Sequence, residues 1–159
     1  MVPNTPNPYL YILMRNDLDS LNPGKMVAQG AHAANQFTFQ MGHLERWLAR
    51  TQDSTLDPPE APVPLVKQRQ WRLYDQWVGS TKSGFGVTIT LGVTEAQLRA
   101  VVGHIKAVDG PMCADITHDP TYPLVDGKIT HLIPLDTCGY VFGEKDELRI
   151  VLGQFNLLP

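Results

Sequence analysis

Several things are scarce in this chain of 159 residues: cysteine, net charge, and long apolar runs. Two cysteines, Cys113 and Cys138, cannot build a disulfide framework, and they lack the paired spacing of a zinc site. Each sits in an apolar, strand-like run, which predicts buried free thiols and fits a reducing cytoplasm. No stretch approaches the length of a membrane span. The N-terminus lacks the basic-then-apolar layout of a signal peptide, so a cytoplasmic protein with no membrane contact is expected. The formal net charge of -3 lends no support of its own to a nucleic-acid partner. There is no Gly-x-Ser-x-Gly elbow, no Walker loop and no Gly-x-Gly-x-x-Gly fingerprint. Ser83-Gly84-Phe85-Gly86 precedes a strand where a phosphate loop would follow one. His43, His104, His118 and His131 show no metal-ligand spacing. No metal and no cofactor are therefore expected.

What is present is ordinary for a globular domain: 43% hydrophobic and 18% charged residues. The length suits one domain over 1–159. Residues 1–8 are a Pro- and Asn-rich leader, expected to be flexible. The run 9–14 is solidly apolar and predicts a buried strand. Asn22 then caps a helix with Pro23 at its first position. This helix should run through Phe37 and as far as Met41, with Gly42 as its break. Residues 43–82 read as a helical insertion. Within it Leu44, Trp47 and Leu48 stand at helical spacing, 51–64 is a loop, and 65–77 carries Trp71, Tyr74 and Trp77 at intervals of three. The tryptophans read as core.

Residues 85–91 predict a second strand. Thr94 and Gln97 make a capping box for a helix with Leu98, Val101, Val102 and Ile105 on one face. Strands follow at 112–118 and 137–143, separated by a long loop at 124–136. An acidic turn is expected at 144–148, and an apolar tail at 155–158 should dock on the sheet. The alternation predicts an α/β fold, a three-layer α/β/α arrangement with a mixed, mostly parallel sheet of about four strands.

Lys25 is the informative residue. A lysine in a helix's first turn is repelled by the backbone dipole, at a cost of roughly 0.3–1 kcal/mol. Lysine and helix end aimed at one spot would hold an anion. Gln29 and His32 continue a polar stripe from Lys25 along an otherwise apolar helix. His32 is either a buried histidine satisfied by a carbonyl or a substrate-facing one. Asp119 is the second candidate, at the exit of the third strand, where ligands of open α/β sheets sit. It is also a plain turn aspartate before proline. If the first and third strands are parallel neighbours, Lys25 and Asp119 face each other. The carboxylate would then orient a water and the ammonium would stabilise an oxyanion.

Arg15, Asp17, Leu18, Gly24, Lys25, Gln29, His32, Ala33 and Ala34 stand in a strand, turn and helix pattern. It resembles the start of the archaeal and eukaryotic type of peptidyl-tRNA hydrolase, the second of two unrelated families with that activity. The resemblance covers about two-thirds of the chain, and the middle is aberrant. It implies hydrolysis of the ester that joins a peptide to tRNA, with no cofactor and with peptidyl-tRNA as the partner. It also implies Lys25 at the oxyanion or a phosphate and Asp119 at the water, with Asp115 a competitor inside the strand. The family's threonine four residues on is replaced by Pro123, so Thr121 or Tyr122 would supply a hydroxyl, and Thr137 stands for the second threonine.

Gly24, Gln29 and His32 would contact substrate, with phosphates met by the helix's first amides and by Arg46, Arg50 and Arg69 from the insertion. The apolar first helix and tail would allow a homodimer. The rival readings are a non-catalytic relative that binds RNA or a protein partner, and a small enzyme acting on an unrelated acyl or phosphate ester.

Overall fold

The computed structural model describes residues 6–56 and 61–158, so most of the leader expected at 1–8 and part of the loop at 51–64 lie outside the described residues. The chain forms β1 (Pro8–Arg15), α1 (Pro23–Thr51), α2 (Leu65–Gly79), β2 (Thr88–Val93), α3 (Glu95–Ala107), β3 (Cys113–Asp126), β4 (Ile129–Glu144) and α4 (Lys145–Leu152). The strands make one sheet in the order β2-β1-β4-β3. β1 and β2 are parallel, whereas β4 is antiparallel to both β1 and β3.

This is an α/β fold with a mixed sheet, and its expected mostly parallel character is corrected. A tight turn joins β3 to β4, and such a turn permits only antiparallel pairing. Asp126 pairs with Ile129 across Gly127 and Lys128. Gly127 sits at φ +58, and among the described residues no non-glycine has a positive φ, Lys128 included, the pattern of a type II′ turn. The expected loop at 124–136 is thus strand on both sides of that turn. Among the neighbouring pairs only β1 and β2 are parallel, and the two helices between them give the crossover length that this needs.

Alternation along β1 sorts its side chains between two clusters. Leu10, Ile12 and Met14 join Ala33, Phe37 and Met41 of α1, Trp77 of α2, and Tyr140 and Phe142 of β4. Leu13 instead joins Leu91, Leu98, Val101, Val102, Ile105, Val141 and Leu148. Trp47 and Trp71 pack half-buried against the first cluster, so the tryptophans serve as core. α3 lies tight on the sheet: a Cβ at Gly139 would stand 2.6 Å from the Asp115 carbonyl and 2.8 Å from Leu98 Cδ1.

Local signals hold well. Asn22 Oδ1 accepts from the Lys25 amide at 3.0 Å, and the Thr94–Gln97 box closes in both directions. The tail docks on the outer edge of β2, with Gly92 N to Asn156 O and Leu158 N to Thr90 O both at 3.1 Å. Both cysteines are free, Cys138 buried and Cys113 half-buried. Gly42, however, does not break α1. A mid-helix glycine costs only about 1 kcal/mol, and packing of Met41 and Leu44 in the core carries the helix on to Thr51. The acidic turn at 144–148 is instead the start of α4, where Asp146 and Glu147 favour the dipole. Among the described residues no helix is long and apolar enough to cross a membrane.

Candidate functional site

The site begins at the capped end of α1. The amides of Lys25 and Met26 are taken by the side chain and carbonyl of Asn22. Among the described residues the exposed Gly24 amide has no partner and faces outward from the helix start. The Lys25 side chain folds over the Tyr122 ring, 4.6 Å from its centroid, and donates to the Pro123 carbonyl at 2.5 Å. Those contacts offset the dipole's repulsion of the ammonium. Tyr122 is fully buried, and its hydroxyl lies 3.0 Å from Ser20 Oγ in the elbow after β1.

Two irregularities in the β3–β4 ladder aim the remaining groups. Thr117 pairs with Cys138 and His118 with Asp136, so Thr137 is an extra residue on β4. Asp119 pairs with Leu135 and Tyr122 with Ile133, so Pro120 and Thr121 stand opposite Pro134 alone. Each bulge switches which face the following side chains point to. Prolines, which cannot donate to a ladder, are tolerated here because β3 is an edge strand and β4 at this point has only β3 as partner.

The result is a buried polar chain. Gln29, 3% exposed, donates Nε2 to Asp119 Oδ2 at 2.7 Å and accepts at Oε1 from the Thr137 hydroxyl at 2.6 Å. Asp119 Oδ1 accepts from the Thr121 amide at 2.9 Å, with the Thr121 hydroxyl at 3.4 Å. Burial by itself would raise the Asp119 pKa. The Thr121 amide, the Gln29 amide and the field of His32 outweigh it and hold the carboxyl below its ordinary range. Asp119 is therefore a carboxylate at neutral pH, with one lone pair of Oδ2 not used by Gln29.

The stripe continues beyond the expected residues. Gln36 donates to the Ile116 carbonyl at 3.2 Å and accepts from Thr117 Oγ1 at 2.9 Å. Gln40 donates to Asp115 Oδ2 at 2.9 Å and accepts from Tyr140 Oη. Lys25, Gln29, Gln36 and Gln40 thus follow β3 in reverse order from Pro123 to Asp115. They satisfy polar groups along an edge that would otherwise be an open template for another strand.

On the sheet's other side, Arg15 bonds Asp17, Glu95 and the Asp136 carbonyl at 2.9, 3.0 and 3.0 Å. Asp17 also accepts from the Glu95 amide at the start of α3. Arg99 and His118 both reach Asp136, at 2.5 and 2.8 Å. The Arg15 and Asp17 of the sequence pattern therefore tie β1 to α3 and to the bulge of β4.

Gln29, Asp119, Thr121 and Thr137 are brought together, with Lys25 one helical turn before Gln29 against Pro123, Gly24 at the helix start and His32 close enough to Asp119 for its field to act there. His32 is exposed, which removes its reading as a buried histidine. Asp119 lies within β3 and not at its exit. β1 and β3 run in the same direction but β4 lies between them, so they are not neighbours; α1 supplies the connection instead. Among the described residues Lys25 and Asp119 form no direct ion pair. Thr137 is fully buried with its hydroxyl committed to Gln29. Asp115 pairs with Lys106 at 2.6 Å near the far end of α1's stripe, away from Lys25.

Arg46 and Arg50 lie about 30 Å or more along α1 from Lys25. Arg69 lines a cleft with Pro6 and Glu144 at the opposite end of β1. Ser20 and the Pro123 carbonyl escape sequence reasoning, and Tyr122, expected as an alternative hydroxyl for the chemistry, instead bonds Ser20 and lies under Lys25. Gly127 between Val125 and Ile129 is a hairpin signal that could have located the ribbon holding them. No family model and no curated protein matches the chain.

Proposed function

We propose that the chain hydrolyses the ester bond of peptidyl-tRNA, with Lys25 and Asp119 as its catalytic pair in a three-layer α/β/α domain. The observation that carries this reading is that Lys25 and Gln29, one turn apart on α1, bond to Pro123 and to Asp119 on one bulged segment of β3, so two groups remote in sequence share that segment. Water hydrogen-bonded to Asp119 Oδ2 would attack the ester carbonyl. Lys25 uses one N–H on Pro123, and its other two are available to the oxyanion. Collapse breaks the acyl carbon–oxygen bond; one proton of the attacking water passes to the departing ribose oxygen and the other to solvent, giving a peptide carboxylate and a free ribose hydroxyl. Asp119, held as a weak base, orients the water. The exposed Thr121 hydroxyl stands beside it, whereas Thr137 acts through Gln29 and so positions Asp119.

The test is release of tRNA from peptidyl-tRNA by the intact chain. Lys25→Ala and Asp119→Asn should each lower turnover by about 10²–10³-fold. Full activity in both variants would remove the assignment. One feature favours the rival reading, a non-catalytic relative that binds RNA or a protein: Gln29 and Thr137 are wholly engaged with each other and with Asp119. That reading predicts tRNA binding without turnover. Binding through phosphates would weaken steeply as salt rises, and a flat response would leave a protein partner.

A further inference from the structure

The insertion at 43–82 plays no part in the site above, yet it walls a largely apolar cleft of about 610 Å³ between α1, α2 and the start of β3. One wall is Phe39, Met41, His43, Leu44 and Trp47 of α1. Phe39 and His43 pack edge to face at 4.5 Å, and Phe39 is 66% exposed. The opposite rim is Lys67 of α2.

The polar groups of the floor are already committed. Gln36 and Gln40 serve the β3 edge through both ends of their amides. Gln70, 2% exposed, accepts from Lys67 Nζ at 3.1 Å and lies against the Cys113 thiol. Burial pushes that thiol up to about 12, so it brings no charge. Lys67 is the one Lys, Arg, Asp or Glu lining the cleft, and among the described residues it has no ion pair. A largely apolar cleft whose one Lys or Arg side chain has no carboxylate partner complements an apolar body with one negative charge.

We propose that this cleft binds a free small amphiphilic anion, an alkyl or aryl carboxylate, with its apolar body on the Phe39–Trp47 wall and its charge at Lys67. The size agrees with small-molecule sites, which run about 300–1,000 Å³. A protein partner would need roughly 800 Å² of contact on each side, more than a concavity this small offers.

The test is a fluorescence titration of the full chain, in low salt, with 8-anilinonaphthalene-1-sulfonate and with N-phenyl-1-naphthylamine, the same rings without the anion. The sulfonate should saturate at one per chain and raise Tm, since it binds the folded state. Lys67→Gln should weaken the sulfonate by about tenfold, the value of one charge-assisted contact, and leave the neutral dye unchanged. Phe39→Ser, at an exposed position that folding does not depend on, should weaken both dyes. Dodecanoate should displace the sulfonate. Equal sensitivity of both dyes to Lys67→Gln, or none, overturns the proposal. So does displacement by an N-acetylated apolar dipeptide but not by dodecanoate, which would make the occupant a peptide terminus.

Discussion

On the face of the sheet packed by α3 and α4 the core is aliphatic, Leu13, Leu91, Val93, Leu98, Val101, Val102, Ile105, Val141 and Leu148, with the buried Arg15 at its margin bonded to Glu95. On the face packed by α1 and α2 they are aromatic and polar. Phe37 stands within 6 Å of Tyr74, Trp77, Tyr140 and Phe142, with centroids 5.5, 5.7, 5.3 and 4.8 Å away. Gln29, Gln70, Thr117, Asp119 and Thr137 are buried there too. Unpaired, each such group would cost about 1–3 kcal/mol, so a fold has no reason of stability to collect them on one side. The aliphatic face shows that this chain can build a core without them. The polar face is where stability has been traded for an arrangement of groups, and the candidate chemistry lies there.

Substitutions can break this comparison. The largest separation should come from Lys25→Ala or Asp119→Asn against Leu98→Ala. The first two should both lower turnover by about 10²–10³-fold; Lys25→Ala should change the urea midpoint little, and Asp119→Asn should lower it by the stabilisation that the bonded carboxylate supplies. Leu98→Ala should cost about 2–5 kcal/mol of stability and leave kcat of the folded fraction unchanged. Phe37→Ala should destabilise by about 3–5 kcal/mol, measured by urea unfolding, because it empties the centre of the aromatic cluster.

Gln29→Leu should cost about 2–3 kcal/mol, since both Asp119 and Thr137 lose a buried partner. It should also raise the Asp119 pKa in an NMR titration, whereas a Gln29 that merely filled space would leave that pKa alone.

Acid sharpens the same contrast. Asp17, Asp115 and Asp119 are all held below the ordinary carboxylate range despite burial, which alone would raise them. Arg15 and the Glu95 amide act on Asp17, Lys106 and Gln40 on Asp115, and the Thr121 amide and Gln29 on Asp119. The unfolded chain takes up these protons near pH 4 and the folded chain only below that. Their stabilisation is therefore complete above about pH 4 and is lost as pH falls through the lower folded values. Urea midpoints should be flat as regards these groups from pH 7 to 5 and drop below 4, less steeply in Asp119→Asn. The smallest effect should be His118→Ala, under about 1 kcal/mol, because its pairing with Asp136 is at an exposed position.

Much of this was readable from short-range chemistry. The Asn22–Pro23 start of α1 and the Thr94–Gln97 box depend on atoms within four residues of one another. The end of α1 was not readable, because Gly42 is a weak breaker and its override by Met41 and Leu44 comes from contacts with distant strands. Pro120, Pro123 and Pro134 read as loop chemistry, whereas an edge position with bulges accepts them. Asp119 and Thr137 were legible as residue types but not as partners, since the bulges that turn both toward Gln29 leave no periodic trace.

The order of residues by itself determined the caps of α1 and α3, the apolar run of β1 and the apolar face of α3, and the lysine placed against a helix dipole. These follow from local geometry and side-chain spacing. Only the folded arrangement decided that β4 separates β1 from β3, that α1 seals the β3 edge with a row of amides, and that Lys25 and Asp119 rest on one segment. Pairing between strands and the slip of one residue in a ladder are set by contacts across the whole chain, where the energies of alternatives differ through packing rather than through any single residue.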